Sequence, residues 1–153
     1  MKKVLFVCLG NICRSPLAEA LFRKHVKENG LEDQYYIDSC GTANYHVGDQ
    51  PDARSRANAK LNGLDYTHQG RQINENDFTE FDIIIPMDMS NETDLKSVNP
   101  GGKAEIQLMR NYDPGHEGEA VPDPYYGGEQ GFQHVFDILD RSTAHLLDYL
   151  GKK

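Results

Sequence analysis

A cysteine and an arginine lie close to the two ends of a short loop, in the segment Cys8-Leu9-Gly10-Asn11-Ile12-Cys13-Arg14-Ser15. An apolar run precedes this segment and a helical pattern follows it, so successive backbone N–H groups and the helix dipole can point at one anion. Gly10 permits the backbone angles that such a loop needs. The planar guanidinium of Arg14 can bind two phosphate oxygens at once. The segment therefore predicts a phosphate-binding loop.

Cys8 is predicted to lie at the base of this loop. Backbone N–H donors, Arg14 and the Ser15 hydroxyl should lower its pKa by several units from the free value of ~8.5. A thiolate at neutral pH is a strong nucleophile towards phosphorus. The alternative is an ordinary strand-to-helix turn with a buried cysteine. The sequence Ser15-Pro16 and the helical pattern after it favour the phosphate site.

Asp123 is the candidate proton donor for cleavage of an aryl phosphate. A phenolate, whose conjugate acid has a pKa of ~10, leaves slowly unless its oxygen is protonated as the bond breaks. Pro122 and Pro124 stiffen the segment around this carboxyl group. An Asp-Pro pair alone indicates only a turn. Its combination with Cys8 and Arg14 favours the role of general acid.

Strand patterns alternate with helix patterns along the chain. We predict strands over residues 4–7, 35–40, 82–87 and 104–109, and helices over residues 16–30, 52–61, 90–96 and 132–150. Such alternation predicts an α/β fold: a four-stranded parallel sheet with helices on both faces, and the phosphate-binding loop between strand 1 and helix 1. Ligands bind these sheets at the carboxyl ends of strands, and Cys8 ends the first strand.

Bulk composition narrows the possible functions. The 153 residues suit one domain, 1–153, and the net charge of −8 disfavours nucleic acid and anionic membranes as partners. No apolar run has membrane-spanning length, and the short N-terminal run lacks the cleavage site of a signal peptide. Three cysteines do not suit a secreted disulfide framework, and neither they nor the histidines show metal-ligand spacing. We therefore expect a cytoplasmic protein without metal or cofactor, in which His46, His116 and His134 are surface residues.

The chain resembles the low-molecular-weight protein tyrosine phosphatases over essentially its whole length. The resemblance rests on residues 7–16, 81–88 and 123–126, which follow the family's order and spacing. It implies hydrolysis of protein phosphotyrosine and small aryl phosphates through a phosphocysteine intermediate, with phosphate as product and no metal. Cys8 would be the nucleophile, Arg14 would bind the phosphoryl oxygens, and Asp123 would act first as acid and then as base on water.

The resemblance also implies roles for residues around the nucleophile. Ser15 would support the thiolate, Ser39 would support the loop, and His68 would bind the loop through Asn11. Asp88 is either a partner of Arg14 or a helix cap near Ser90, and the sequence leaves both open. The remaining loop residues would bind substrate: Leu9, Gly10, Asn11, Ile12 and Cys13.

Aromatic residues and a second cysteine complete the site that the resemblance implies. Tyr125 and Tyr45 would form opposite walls of a slot for a phenyl ring, and ordinary packing of loop aromatics is the alternative. Tyr126 is either part of this slot or the counterpart of a regulatory phosphorylation site in some relatives. Cys13 matches a cysteine that traps the oxidised nucleophile as a reversible disulfide, here with Cys8, and a small buried loop residue is the alternative.

Other functions share parts of this pattern. Arginine phosphatases of the same fold typically have threonine at the position of Ile12 and lack paired tyrosines after the acid. Thiol-dependent arsenate reductases need further cysteines downstream, and this chain has none after Cys40. A non-catalytic phosphotyrosine-binding module would lack Cys8 or Asp123. A nucleotide-binding P-loop would need Gly-Lys-Ser/Thr, which does not occur. The arginine phosphatase and the binding module remain the alternatives.

Overall fold

The computed structural model of the protein describes residues 1–152, with only the backbone described at Tyr126 and Glu129. Four strands form one parallel sheet in the order β2-β1-β3-β4. They are β1 (Lys2–Cys8), β2 (Tyr35–Gly41), β3 (Ile83–Pro86) and β4 (Glu105–Ile106). The four-stranded parallel sheet predicted from the sequence is confirmed.

Within residues 1–152, five helices connect and follow these strands. They are α1 (Arg14–Glu28), α2 (Ala53–Leu61), α3 (Asp77–Glu80), α4 (Met89–Val98) and α5 (Gly128–Gly151). Short 3₁₀ turns cover Glu32–Gln34, Met109–Tyr112 and Pro124–Tyr126. Asp52 caps α2, because its carboxylate accepts hydrogen bonds from the backbone N–H groups of Arg54 and Ser55. Among the helices of the described residues, none combines the length and the apolar character required to cross a bilayer.

Two elements differ from the sequence prediction. Strand β4 has two residues rather than the six predicted, because the chain leaves the sheet edge and enters the 3₁₀ turn at Met109, whose side chain is fully buried in the core. Helix α3 was not predicted, since four residues are too few to show a helical period. It is nevertheless anchored: Phe78 is completely buried.

Apolar side chains pack on both faces of the sheet. Successive side chains of a strand point to opposite faces, so Val4, Phe6 and Cys8 of β1 face one cluster while Leu5 and Val7 face the other. The first cluster contains residues of α1, α2 and α5, among them Leu21, Phe22, Ala59 and Leu139. The second contains Phe78 of α3, Phe81 and Leu95 of α4. Helices therefore cover both faces, as predicted.

The strand order reverses at β1, because β2 lies on one side of β1 and β3 on the other. The chain passes from β1 to β2 on one side and later returns to β3 on the other, and ligands bind parallel sheets at such points. Cys8 ends β1 and pairs in register with Gly41. A Cβ atom at Gly41 would lie 2.6 Å from the carbonyl oxygen of Leu9, so glycine is required for the loop to leave the strand here.

Candidate active site

The thiol of Cys8 lies inside the turn between β1 and α1. Its Sγ atom is 3.0 Å from the Oγ atom of Ser15 and accepts a 3.3 Å hydrogen bond from the backbone N–H of Asn11. Helix α1 has no side-chain cap and no acidic residue in its first turn. Its first N–H groups can therefore serve an anion. The predicted phosphate-binding loop thus has the donors and the open helix terminus that anion binding requires.

Asn11 holds this loop in an unusual conformation. Its φ of 57° is positive, a region that residues other than glycine seldom occupy. Its side-chain amide donates to Ser15 Oγ at 2.9 Å and to Ser39 Oγ at 3.1 Å. Its Oδ1 atom accepts from the backbone N–H of Arg71 at 3.1 Å and lies 2.8 Å from His68 Nε2. Four contacts therefore offset the backbone strain.

Ser39, His68 and Glu19 form a layer beneath Asn11. Ser39 Oγ donates to Glu19 Oε1 at 2.7 Å, and His68 Nδ1 lies 3.3 Å from the same carboxylate oxygen. The two ring nitrogens of His68 thus face oxygen acceptors, Asn11 Oδ1 on one side and the Glu19 carboxylate on the other. The sequence placed Ser39 and His68 here but gave no sign of Glu19, which reads as an ordinary helix residue.

Arg14 is held by two residues that follow β3 in the chain, Asp88 and Val121. Its Nη1 atom donates to Asp88 Oδ2 at 2.8 Å and to the carbonyl oxygen of Val121 at 3.0 Å. Asp88 Oδ1 accepts from the backbone N–H of Asn91 at 2.8 Å and so caps α4. The two roles that the sequence left open for Asp88 therefore occur together. One carboxylate orients the guanidinium and starts the next helix.

A pocket of about 190 Å³ opens above Cys8, and we call it the Cys8 pocket. The exposed ring of Tyr45 and the half-exposed ring of Tyr125 stand at its mouth. Five residues predicted for the site lie outside the lining and contact it, or contact Asn11, through hydrogen bonds: Asn11, Ser15, Ser39, His68 and Asp88. The Tyr126 side chain lies outside the described residues. The lining consists of Cys8, Leu9, Gly10, Ile12, Cys13, Arg14, Tyr45, His46, Asp123 and Tyr125.

Asp123 reaches this pocket from the loop before α5. Its Oδ1 atom accepts from the backbone N–H of Tyr125 at 2.9 Å, which starts the 3₁₀ turn. The preceding Val121 binds in two directions, through its N–H to the carbonyl of Met87 at 2.9 Å and through its carbonyl to Arg14. The backbone of Val121 therefore connects the end of β3, the Arg14 guanidinium and the loop that carries Asp123.

A buried ion cluster holds the start of the same loop. Asp113 is completely buried and accepts hydrogen bonds from Arg141 at 2.6 and 3.0 Å and from Arg110 at 3.1 Å. Burial alone would raise the pKa of Asp113, but the hydrogen bonds and charges of the two guanidinium groups outweigh it and the pKa lies below its usual value. Arg110 also donates to the carbonyl of Ala120 at 3.2 Å, next to Val121.

The three cysteines are free thiols in different surroundings. Burial, assisted by the negative charge of Asp52, raises the pKa of Cys13 to about 12, so this thiol is neutral at physiological pH. Burial also raises the pKa of Cys40 well above its usual value. Cys40 packs among apolar side chains away from the pocket.

Two residues near the pocket were not anticipated as part of it. His46 is half-exposed, as predicted for a surface residue, yet it lines the pocket and its Cδ2 atom would lie 3.0 Å from a Cβ atom at Gly10. Arg54 stacks its guanidinium on the Tyr125 ring, with Cζ 4.7 Å from the ring centre. His46 directly follows Tyr45, and this adjacency was the signal available in the sequence. Arg54 gave none, because its contact partner lies 71 positions further along the chain.

One group of potential metal ligands occurs among the described residues: Glu19, Asp38 and His68, whose ligand atoms lie within 4.8 Å of one another. Asp38 already accepts a 3.0 Å hydrogen bond from Arg71, and Glu19 accepts one from Ser39. A guanidinium therefore supplies the positive charge at this place. The group serves as support for the loop.

Comparison with known proteins assigns the family. A family model described as low molecular weight phosphotyrosine protein phosphatase matches residues 3–153. The chain belongs to this family. The member from Schizosaccharomyces pombe is 48% identical over 147 residues, which are 94% of this chain and 94% of the relative.

Solved structures of similar proteins share the fold of this phosphatase family member. A crystal structure of a protein tyrosine phosphatase from Entamoeba histolytica, with HEPES in its active site, has a TM-score of 0.94 and 41% identity, and the match covers 99% of this chain and 98% of that one. A Drosophila arginine phosphatase gives a TM-score of 0.88 and 38% identity, with 98% of each chain covered. The family and the fold class inferred from the sequence are confirmed.

Proposed function

We propose that this protein hydrolyses protein phosphotyrosine and small aryl phosphates through a phosphocysteine intermediate, without a metal ion. One observation carries the proposal. The Cys8 thiol, held by Ser15 Oγ and the N–H of Asn11, shares a single pocket with the Arg14 guanidinium and the Asp123 carboxyl group. A nucleophile, an oxyanion-binding group and a proton donor are the three parts that this reaction needs.

In the first step the Cys8 sulfur attacks phosphorus as its thiolate. The S–P bond forms while the bond from phosphorus to the tyrosine oxygen breaks, and the proton of Asp123 passes to that oxygen. The free N–H groups of the loop and of the α1 terminus bind the equatorial phosphoryl oxygens together with Arg14. The fixed orientation of Arg14 by Asp88 and Val121 supports this role, because preorganised donors need no rearrangement during the reaction.

In the second step water replaces the sulfur. The Asp123 carboxylate takes a proton from water while the water oxygen attacks phosphorus. The S–P bond then breaks, and phosphate leaves. Cys8 is then again a thiolate beside the Ser15 hydroxyl and the N–H of Asn11. These two donors stabilise the sulfur as a leaving group, so they support the second step as much as the first.

The walls of the Cys8 pocket support an aromatic substrate. Tyr45 and Tyr125 flank the opening, and Ile12 adds an apolar surface to the lining. A phenyl ring can pack against these surfaces, whereas phosphoserine has no ring to fill the space between them. We include a cytoplasmic location in the proposal, because the free thiols of all three cysteines suit a reducing compartment.

Arginine phosphatase activity is the second candidate, and the likeness to the Drosophila arginine phosphatase favours keeping it. The guanidinium of phosphoarginine is planar, as a phenyl ring is, but it carries N–H donors that need acceptors. Ile12 supplies none at the base of the pocket, and the aromatic walls suit a ring better. A phosphotyrosine-binding module without catalysis is the weaker alternative, since both Cys8 and Asp123 reach the pocket.

Turnover of three phosphopeptides, measured side by side with a chelator present, tests the proposal. The peptides share one sequence and carry phosphotyrosine, phosphoarginine or phosphoserine. We expect rapid release of phosphate from the phosphotyrosine peptide, none after Cys8→Ser, and retained binding of a phosphate analogue by that variant. Faster turnover of phosphoarginine would assign the protein to the second candidate. Binding of phosphotyrosine without turnover by the unmodified protein would support the third.

A further inference from the structure

We propose that a groove beside the Cys8 pocket binds an apolar side chain of the polypeptide that carries the phosphotyrosine. The inference rests on the proposed function, because it concerns the chain on either side of the reacting residue. The groove lies between α2 and the start of α5 and has a volume of about 410 Å³. We call it the Phe132 groove; it is lined by Arg54, Ala57, Asn58, Leu61, Gly128 and Phe132.

The lining of the Phe132 groove is suited to an apolar occupant. Leu61 is 88% exposed, a high value for a leucine at the end of a helix, and Ala57 is exposed on the same helix. Gly128 leaves the groove open, because no atom lies within 4 Å of the position that a Cβ atom would take. An apolar side chain bound here would remove its own surface and that of Leu61 from water.

The charge of Arg54 does not turn the groove into an anion site. Its Nε atom donates to Asp52 Oδ1 at 3.3 Å and its Nη2 atom to Asp52 Oδ2 at 3.1 Å. The guanidinium is thereby neutralised on its edge, and it also lies over the rings of Tyr125 and Phe132. The ion pair thus favours an apolar side chain over an acidic one.

Arg54 makes the groove continuous with the Cys8 pocket. Its Cζ atom is 4.7 Å from the centre of the Tyr125 ring, at the mouth of the pocket, and 5.0 Å from the centre of the Phe132 ring, in the groove. The two ring centres are therefore no more than about 10 Å apart. Two or three residues of extended chain span this distance, at ~3.3 Å per residue. The occupant is therefore an apolar side chain two or three residues from the phosphotyrosine.

A scan of phosphotyrosine peptides tests this inference. Each peptide carries a single leucine, placed two or three residues before or after the phosphotyrosine, with glycine at the other flanking positions. We expect leucine at one of these places to lower KM by about tenfold relative to the all-glycine peptide, from partial burial of its side chain. A small aryl phosphate, which does not reach the groove, reports the chemistry alone.

Two variants assign the effect to the groove. Ala57→Glu places a charged side chain at an exposed helical position in the lining, and Leu61→Asn removes the exposed apolar surface. Each should reduce the leucine preference to about twofold or less while leaving turnover of the small aryl phosphate unchanged. Val98→Asn, at the exposed end of α4, is the matched control and should keep the full preference.

The outcomes separate this inference from the proposed function. If the protein turned over no phosphotyrosine substrate, the proposed function would be wrong. Turnover without a leucine preference at any tested place, or a preference that survives both groove variants, would overturn the groove assignment alone. If Ala57→Glu instead changed only the oligomeric state measured by sedimentation, the groove would be a contact between copies of the chain and the inference would be wrong.

Discussion

The hydroxyl of Ser15 lies 3.0 Å from the sulfur of Cys8, although seven positions separate the two residues in the chain. Ser15 is completely buried at the start of α1, and its Oγ atom also accepts a hydrogen bond from Asn11 at 2.9 Å. Its single proton has two acceptors within reach, the Cys8 sulfur and the carbonyl oxygen of Cys40 at 3.3 Å, and the negative charge of a thiolate favours the sulfur. The contact links the proposed nucleophile to the network that maintains the shape of the loop.

Replacing Ser15 with alanine should slow the reaction more than it weakens substrate binding. The thiolate would lose a hydrogen bond in both steps, and a hydrogen bond to a charged group contributes about 1.5–3 kcal/mol. We expect kcat for a small aryl phosphate to fall roughly 10- to 100-fold, as measured by steady-state kinetics. Ser97→Ala, at an exposed position of α4, is the control. An unchanged kcat would contradict the role of Ser15.

Two substitutions of Asn11 should separate backbone strain from lost hydrogen bonds. Asn11→Gly and Asn11→Ala lose the same side-chain contacts, but only glycine adopts the φ of 57° without strain. We therefore expect the alanine variant to be less stable than the glycine variant by about 1 kcal/mol, from urea unfolding. Equal stabilities would indicate that the loop changes its conformation once the side-chain contacts are gone.

Asp123→Ala should affect substrates according to their leaving groups. A positioned general acid contributes about 10²–10⁴ in rate when the leaving oxygen is basic. We expect kcat/KM, which reports only the step in which the aryl group leaves, to fall most for phenyl phosphate and phosphotyrosine, and least for aryl phosphates whose phenols are acidic. A plot of log kcat/KM against leaving-group pKa should therefore become steeper in the variant. The same loss for every leaving group would remove Asp123 from the acid role.

Asp88 has two roles that two variants should separate. Asn is a good helix cap, so Asp88→Asn should keep the start of α4 while losing the charge that orients Arg14. Asp88→Ala should lose both. We expect kcat/KM to fall about tenfold in each, and only the alanine variant to lose a further ~1 kcal/mol of stability. Kinetics and thermal unfolding of the pair measure the two effects, and a fully active Asp88→Asn would show that the ion pair does not orient Arg14 for catalysis.

The Asp113 carboxylate should stabilise the folded protein near neutral pH but not in strong acid. Its pKa is lowered in the folded protein, because the bonds from Arg141 and Arg110 outweigh burial. Because the pKa of Asp113 is lower in the folded than in the unfolded protein, its ionised carboxylate stabilises the folded state. This stabilisation is complete above the unfolded pKa of ~3.9 and is lost as pH falls through the folded pKa. Asp113→Asn leaves the buried Arg110 with only the exposed carboxylate of Glu119, 3.9 Å away, as a charged partner, and we expect a loss of about 3 kcal/mol near neutral pH.

Urea unfolding of the unmodified protein and of Asp113→Asn over a pH series measures this dependence. The difference in unfolding free energy between them should be constant near neutral pH and should shrink towards zero as the solution becomes strongly acidic. A difference that grows on acidification would contradict the lowered pKa.

Local sequence was sufficient for the catalytic loop and for most elements. The apolar run 4–7 and the helical pattern after Ser15-Pro16 are signals between near neighbours, and they place Cys8 and Arg14 on one turn. The same is true of Asp52, which starts α2 through its own side chain. The end of β4 could not be read in this way, because the chain leaves the sheet edge to bury Met109 among residues of distant elements.

The sequence by itself determined the loop type and the parallel α/β fold, and it pointed to Cys8 as the proposed nucleophile, because each follows from residue types over a few positions and from hydrophobic periods. The tertiary structure decided which distant groups complete the site. Val121 binds Arg14 across 107 positions, Glu19 contacts His68 beneath Asn11, and Arg54 contacts the rings of both Tyr125 and Phe132. Such contacts depend on how packed elements converge at the end of β1, and no local preference of the chain encodes that convergence.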